Sequence, residues 1–441
     1  MFFLRSNNFF FNIYILLFIV LIFIKIFIFY DHLYPLHDEI ISIDRYLEPK
    51  NFLRRDSTNN QMVLSFFGMI INTIFGFNLV LLRIISFFAF IGLVFVFKKN
   101  FRNFFILNFL FIIILSSDLL FNYIYLYRGY YISSFIVVLN LFFLKEYFNK
   151  QKLKYLKYSL VSSTLLCINS IYSIYFLVPI FFTLLTFLII NKKLEFIKII
   201  FNYFFAPCVL IYSLIIIVTG FAQTFSGNLN LSFLMNNFFE VLVKSFVPGV
   251  KLIFFQSAVL DLKFSLDAVW EKMIKGEGST SHQITILFVI SLTILILLSK
   301  ILFYRNKLNY SDLIVGIFFL TFLLINKNPW LRIYVPITYF LLFYLLNEIQ
   351  SQISKVNYNK FKINEISTII LIFFIIFISP NKDYEETTKS QIINIEQYKN
   401  NCEVANNYLS QLEIWIFINI YPNYCEYKYD PNSRKNILLD K

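Results

Sequence analysis

Apolar runs of about 20 residues, separated by short polar breaks, recur along nearly the whole chain. That length is what a helix needs to cross the hydrocarbon core of a bilayer. Within that core only a helix or a closed barrel can satisfy its own backbone. The repeated runs therefore predict an all-α polytopic membrane protein. The composition agrees: 58% of the 441 residues are hydrophobic and the mean hydropathy is +0.68, beyond the usual range of a soluble domain. Phe, Ile, Asn, Lys and Tyr are all abundant, the pattern of an AT-rich coding bias, so the 58 phenylalanines carry no functional weight.

The net charge of +13 would suggest nucleic acid only if the basic residues shared one face. They fall instead in short breaks between apolar runs, the positive-inside pattern of a multi-pass protein. No nucleic-acid partner is expected. No Gly-rich nucleotide loop, CxxC pair or HExxH motif occurs.

The first run, Phe9–Tyr30, is too long for a signal peptide and no small-x-small site follows it, so it reads as an uncleaved anchor. Lys25 within it is a snorkelling side chain or a phosphate contact. Met62–Phe77 is interrupted by Gly68, Asn72 and Gly76 and reads as a partly buried or re-entrant helix. Spans are predicted over Leu79–Phe97, Phe104–Ser117, Ile132–Leu144, Tyr158–Ser173, Ile174–Ile190, Ile199–Thr219, Ile284–Leu302, Leu313–Ile325, Leu331–Leu346 and Ile366–Ser379. With the first run this makes about eleven transmembrane helices. Lys98, Lys99 and Arg102, then Lys145, Lys150, Lys152, Lys154 and Lys157, then Lys192, Lys193 and Lys198, then Lys300, Arg305 and Lys307, all fall on one side. That side is assigned to the cytoplasm, which places the N-terminus inside, the C-terminus outside and the protein in a bacterial inner membrane.

Two parts are expected: a transmembrane domain over 1–379, with outer loops 31–61, 116–131 and 220–283, and an extracytoplasmic tail over 380–441. Patchy apolar helices are expected in the last loop near Leu229–Val247 and Leu252–Met273. Cys402 and Cys425 are the cysteines outside spans, so the tail suggests a disulfide, with two free thiols as the alternative.

Asp31–Gln61 is the first polar island, and it holds His32, His37 and six carboxylates. Asp38 and Glu39 follow the first span closely enough to sit near headgroup depth. Ile40, Ile43 and Leu47 are apolar, while Ser42, Asp44 and Arg45 are polar, which predicts a short amphipathic surface helix on the outer face. Carboxylates are costly within a bilayer, and one held at its surface suits a reaction between a lipid-borne group and a partner in water. A helix cap in a solvated loop is the plainer reading of the same pair. His32 and His37 flank Tyr34-Pro35 with poor spacing for a metal and read as loop residues. Arg128 and Arg332 fit interfacial snorkelling as well as anion binding. Tyr127, Tyr130 and Tyr131 suit either a sugar or lipid groove or an aromatic belt, and Trp330 and His282 suit belt and cap positions. Asp118 is a candidate carboxylate or a helix cap. The acidic residues Asp261, Asp267, Glu271 and Glu277 read as a solvated helix face.

Four short motifs stand in order on the predicted outer side. They are Asp38-Glu39, then Ile74-Phe75-Gly76-Phe77 leading into Leu82-Arg83-Ile84-Ile85-Ser86, then Arg128-Gly129-Tyr130, then Arg332-Ile333-Tyr334 with Pro336. In this layout the chain resembles the GT-C glycosyltransferases that use polyprenyl-phosphate sugars, the group that includes protein O-mannosyltransferases and the aminoarabinose transferases of lipid A. The likeness covers roughly 1–150 and, locally, 310–346. Two places depart from it. Asn59-Asn60-Gln61-Met62 stands where many relatives have His-Pro-Pro, and Leu126 stands where many have an acidic residue.

The resemblance implies a GT-C-like bundle and a membrane glycosyltransferase. The donor would be a polyprenyl-phosphate sugar, and the acceptor an extracytoplasmic lipid, glycan or protein. Asp38 would take the proton of the acceptor hydroxyl. Glu39 would act beside it, or the two would hold a divalent cation, Mg2+ or Mn2+, through oxygen ligands. Arg128 and Arg332 would hold the phosphate, since guanidinium forks match its oxygens, with Arg83, Tyr130 and Tyr334 completing the substrate site. A single displacement inverts the anomeric centre. The rival readings are a polytopic transporter, which would want two related halves, and an oligosaccharide polymerase or ligase. The latter is disfavoured because 220–283 contains no arginine.

Overall fold

The computed structural model describes residues 12–24, 26, 39, 42–43, 47, 61–101, 103–169, 173–193, 196–211, 279–303, 308–325, 334–353, 366–372, 425–430 and 435–440. These residues are mostly helical. Chain contacts divide the protein into two compact units, Met1–Arg45 with Phe377–Lys441, and Tyr46–Ile376. The first unit thus gathers the N-terminal segment with the tail.

In the first unit, α1 spans Asn12–Ile24. Ile15, Phe18, Ile19 and Ile22 are buried, while Leu16, Leu17, Val20 and Leu21 are exposed. This is helical spacing with both faces apolar, so the exposed face suits hydrocarbon and not water. In the tail, β1 (Cys425–Asp430) pairs antiparallel with β2 (Lys435–Asp440), with Cys425 opposite Asp440. This hairpin is the one departure from an all-helical chain among the described residues. Cys402 lies outside them.

The second unit is a helical bundle. Its elements are α2 (Met62–Phe75), α3 (Leu79–Asn100), α4 (Phe104–Ser116), the short α5 (Asp118–Asn122), α6 (Tyr130–Lys150), α7 (Leu153–Asn169) and α8 (Ile174–Ile190). They continue with α9 (Ile197–Ile211), α10 (Ser279–Phe303), α11 (Tyr310–Ile325), α12 (Tyr334–Ile353) and a helical piece over 366–372. A helix therefore stands wherever a span was predicted. Three of them, Leu79–Asn100, Tyr130–Lys150 and Thr285–Phe303, are long and apolar enough to cross a membrane. α2, with 14 residues, rises only about 21 Å, short of a bilayer core of about 30 Å. It is half-buried and packs on α3 and α7. It stops at Gly76, whose φ of 72° is left-handed, a conformation that favours glycine.

α6 lies at the centre, packed by α3, α7 and α12. Its contacts combine large apolar side chains with small polar ones. Asn140 donates to Ser163 Oγ (2.7 Å) and accepts from Ser159 Oγ (2.7 Å), tying α6 to α7. Asn169 at the end of α7 donates to Ser133 (2.9 Å) and accepts from the Val63 amide (3.2 Å), which fastens α2 as well. Between helices already surrounded by apolar matter, such hydrogen bonds supply the specificity that apolar contact alone lacks. Phe88, Phe182, Ile189, Leu295 and Phe303 remain exposed, a surface that a bilayer solvates at no cost.

α9 contains a π turn at Phe201–Phe205. Pro207 lies just beyond it. Proline lacks an N–H, so the carbonyl of Tyr203, four residues back, loses its helical partner. The Thr164 hydroxyl of α7 supplies a replacement at 2.9 Å.

The two ends of this bundle differ. At one, Lys145 donates to Asn100 (2.9 Å) and to Asn347, joining α3, α6 and α12. Beside it Lys300 bridges Asp312 (2.8 Å) and Glu348 (2.8 Å), and Tyr344 donates to Asp312 (2.6 Å). Lys145 was expected in a loop, yet α6 continues to Lys150 and carries it into the bundle. The opposite end carries the arginines described next.

Candidate active site

The connection after α4 is pinned on every side, and it carries the arginine of the third motif. Ser86, one turn after Arg83 on α3, donates to the Leu126 carbonyl (2.7 Å) and shares that proton with the Arg128 carbonyl (3.1 Å). The Leu-Arg-x-x-Ser and Arg-Gly-Tyr motifs thus meet through a backbone contact. Tyr127 donates to the Leu64 carbonyl of α2 (3.3 Å). Tyr131 donates to the Leu120 carbonyl (2.6 Å), so its 2.6 Å contact with the Tyr339 hydroxyl has Tyr339 as donor. This ties the segment to α5 and to α12.

Two glycines permit this close fit. A Cβ on Gly68 would stand 1.9 Å from the Tyr127 hydroxyl, and one on Gly129 would stand 2.1 Å from Gln61 Oε1. Burial pushes the Tyr127 phenol up from its ordinary pKa, so it stays a neutral donor at all physiological pH. Tyr127 and Tyr131 were candidates for lining a groove. Both are fully buried, and their hydroxyls serve the backbone.

Two arginines stand here, Arg128 on the segment and Arg83 on α3 beside it. Arg128 is 1% exposed, with its guanidinium 5.6 Å from the Tyr130 ring centroid and Nη2 donating to the Tyr130 hydroxyl (3.4 Å). Tyr130 in turn meets Tyr123 edge to face at 4.9 Å. Arg83 is 7% exposed, and its guanidinium lies 5.7 Å from the Tyr125 ring centroid. Placing a guanidinium over an aromatic face recovers part of the cost of removing it from water. Tyr123 and Tyr125 were not singled out by sequence. Their only signal was alternation with Tyr127 ahead of Arg128, hidden among 29 tyrosines.

The other candidates are placed unevenly. Glu39 belongs to the first unit and is 0% exposed, and Ser42 beside it is buried too. Ile43 and Leu47, two of the apolar positions of the expected amphipathic helix, are buried as well, and Ile40, Asp44 and Arg45 lie outside the described residues. Asp38, Arg332, Trp330, His32 and His37 lie outside the described residues, as do Leu229–Val247 and Leu252–Met273. Tyr334 opens α12, with its side chain not described, and the side chains of Asp118 and His282 are likewise not described. Among the described residues no three His, Cys, Asp or Glu side chains gather as a metal would require.

The arrangement can hold an anion. Two permanently charged guanidinium groups, Arg83 on α3 and Arg128 on the connecting segment, sit at the bundle end away from the lysines, bordered by aromatic faces suited to an apolar or sugar-ring surface. No protein-family model, no curated protein and no solved structure matches the chain.

Proposed function

We propose that the protein is a multi-pass membrane glycosyltransferase that moves a sugar from a polyprenyl phosphate to an acceptor hydroxyl on the extracytoplasmic side. The observation that carries this reading is the pinned segment 117–130. It brings Arg83 and Arg128 to one end of the bundle, buried and aromatic-faced, while the lysines of α6, α10 and the α8–α9 turn occupy the other. The positive-inside rule makes the lysine end cytoplasmic, which leaves the arginine end facing the compartment where lipid-linked sugars are used. About eleven spans, Asp38-Glu39 outside and an extracytoplasmic tail complete the topology.

In this mechanism Arg128, with Arg332 and Arg83, holds the donor phosphate. The anomeric carbon–phosphate oxygen bond breaks, and polyprenyl phosphate leaves with the electron pair. The acceptor oxygen forms the new bond from the opposite face, and its proton passes to Asp38. The configuration inverts. Guanidinium charge is worth most where negative charge grows on the leaving phosphate. Tyr130 orients Arg128 through its hydroxyl and ring.

Asp38→Asn tests the base. Membranes carrying this variant are expected to lose transfer by about 100-fold or more at unchanged expression. Full activity in that variant would exclude Asp38 as the base.

A further inference from the structure

We infer that Gln61 is a ligand-positioning residue of the arginine end: its side-chain amide takes a hydroxyl of the molecule whose anionic group Arg128 holds. This rests on the reading of that end as a donor site and extends it, because it assigns the recognition of the sugar.

Gln61 precedes the first residue of α2, in extended conformation, with φ −107° and ψ 91°. The short polar side chains Ser, Thr, Asp and Asn turn back from that place to cap a helix; Gln is longer and can reach elsewhere. Gln61 makes no side-chain cap bond. Its carbonyl accepts from Ser65 (3.0 Å), an ordinary helical bond, and its side chain runs the other way, to Gly129. There Oε1 and Cδ lie 2.1 Å and 3.0 Å from where a Cβ of residue 129 would stand. Gly129 directly follows Arg128, so the amide is packed on the backbone of the segment that carries the guanidinium.

Gln61 is 6% exposed, and its Oε1 is buried with no hydrogen-bond partner among the described residues. A buried amide oxygen left in this state is destabilising, because it has given up its water without replacing it. Few buried polar groups are left unpaired without a reason such as a role at a site.

The chemistry of the missing partner follows from the amide. It presents one acceptor and two donors. A phosphate oxygen only accepts, so it would leave Oε1 unmet. A hydroxyl donates and accepts, so it pairs with the amide whichever way the amide is turned. The fitting ligand thus carries an anionic group with hydroxyls beside it, as a sugar phosphate does and a bare lipid phosphate does not.

The test uses the full chain in lipid nanodiscs. Decaprenyl phosphate and decaprenyl phosphates bearing a hexose or a pentose are titrated by native mass spectrometry. The wild type is expected to bind one of the sugar-bearing lipids at least about tenfold tighter than decaprenyl phosphate, the scale of one hydrogen bond to a buried polar group. Gln61→Met, which keeps length without hydrogen bonding, is expected to erase that preference while binding decaprenyl phosphate as before. Gln61→Asn, which retracts the amide by one methylene, should do the same if the methionine variant is poorly folded. Retained preference in a folded variant would overturn the proposal, and so would a wild type that binds all three lipids equally. Arg128→Met separates the two readings. If it weakens all three lipids while Gln61→Met changes nothing, only the role of Gln61 fails. If the wild type binds none of them, the donor site itself fails and Gln61 with it.

Discussion

Gly68 sets how near the segment ahead of α6 can come to α2. Its missing side chain leaves room for the Tyr127 hydroxyl, and Gly68→Ala would place a methyl 1.9 Å from that oxygen and 2.8 Å from Leu47 Cδ2. Neither neighbour has slack, because Tyr127 is buried and held to Leu64. Overpacking of this kind costs typically 1–3 kcal/mol. Gly68→Ala is expected to lower the thermal midpoint and, by unseating the segment that carries Arg128, to lower donor binding as well. Gly76→Ala is the informative comparison. It meets no atom within 4 Å, and its cost of about 1–3 kcal/mol comes from the positive-φ backbone alone, so it is expected to lower stability while sparing donor binding. Thermal melts and lipid titration of the two variants check both outcomes. Ser86 belongs to the same scale. Ser86→Ala removes the donor shared by two carbonyls and is expected to cost about 1–3 kcal/mol, the penalty for buried acceptors left unmet.

Among the elements, α10, α11 and α12 are joined at the lysine end by one ion cluster. Asn309 and Asp312 cap α11 reciprocally: the Asp312 amide donates to Asn309 Oδ1 (3.1 Å) and the Asn309 amide to Asp312 Oδ2 (2.7 Å). This is a capping box, and it fixes the carboxylate that Lys300 and Tyr344 then share. Lys300→Met leaves Asp312 and Glu348 buried without their cation, which is expected to cost about 3–5 kcal/mol. Lys198→Met, in the first turn of α9 and outside the cluster, should cost almost nothing. Denaturant unfolding in detergent distinguishes them. The same end also explains a shift in an element boundary. Lys145 reads as a loop residue in sequence, because lysine ends an apolar run. In the fold it finds amide partners on two neighbouring helices, and α6 runs on. A one-dimensional hydropathy pattern cannot register a partner that lies some two hundred residues away.

For the whole molecule, the succession of helices was legible, because the hydrophobic length of a span is a strong constraint that little else imitates. The turn residues beside them were legible too: Gly76 ends α2. The site was legible only where a motif carried it. Arg83, Ser86, Arg128 and Tyr130 were named by the motifs that carry the resemblance, and they are brought to one end of the bundle. Tyr123, Tyr125 and Gln61 were not, since their roles depend on how the connection folds back across α3 and α2. Glu39 was expected near water and is buried instead, a result of packing that composition does not encode. The proposed orientation makes its own prediction. Single cysteines introduced at Lys152 and Lys192 are expected to be shielded from a membrane-impermeant maleimide in intact cells, while one introduced at Asn59 is labelled. Labelling of the first two, with Asn59 protected, would invert the topology and move the arginine end to the cytoplasm.

Donor use at the arginine end is tested most directly by transfer in membranes of the protein's own organism, from which its gene has been removed and then returned as wild type or Arg128→Met. Given a radiolabelled polyprenyl-phosphate sugar, the wild-type membranes are expected to move label into an acceptor and release polyprenyl phosphate. Arg128→Met is expected to do so at least about 100-fold more slowly, the scale of losing one preorganised charge at a transition state. Equal transfer in the two membranes, or in membranes lacking the gene, would contradict the account.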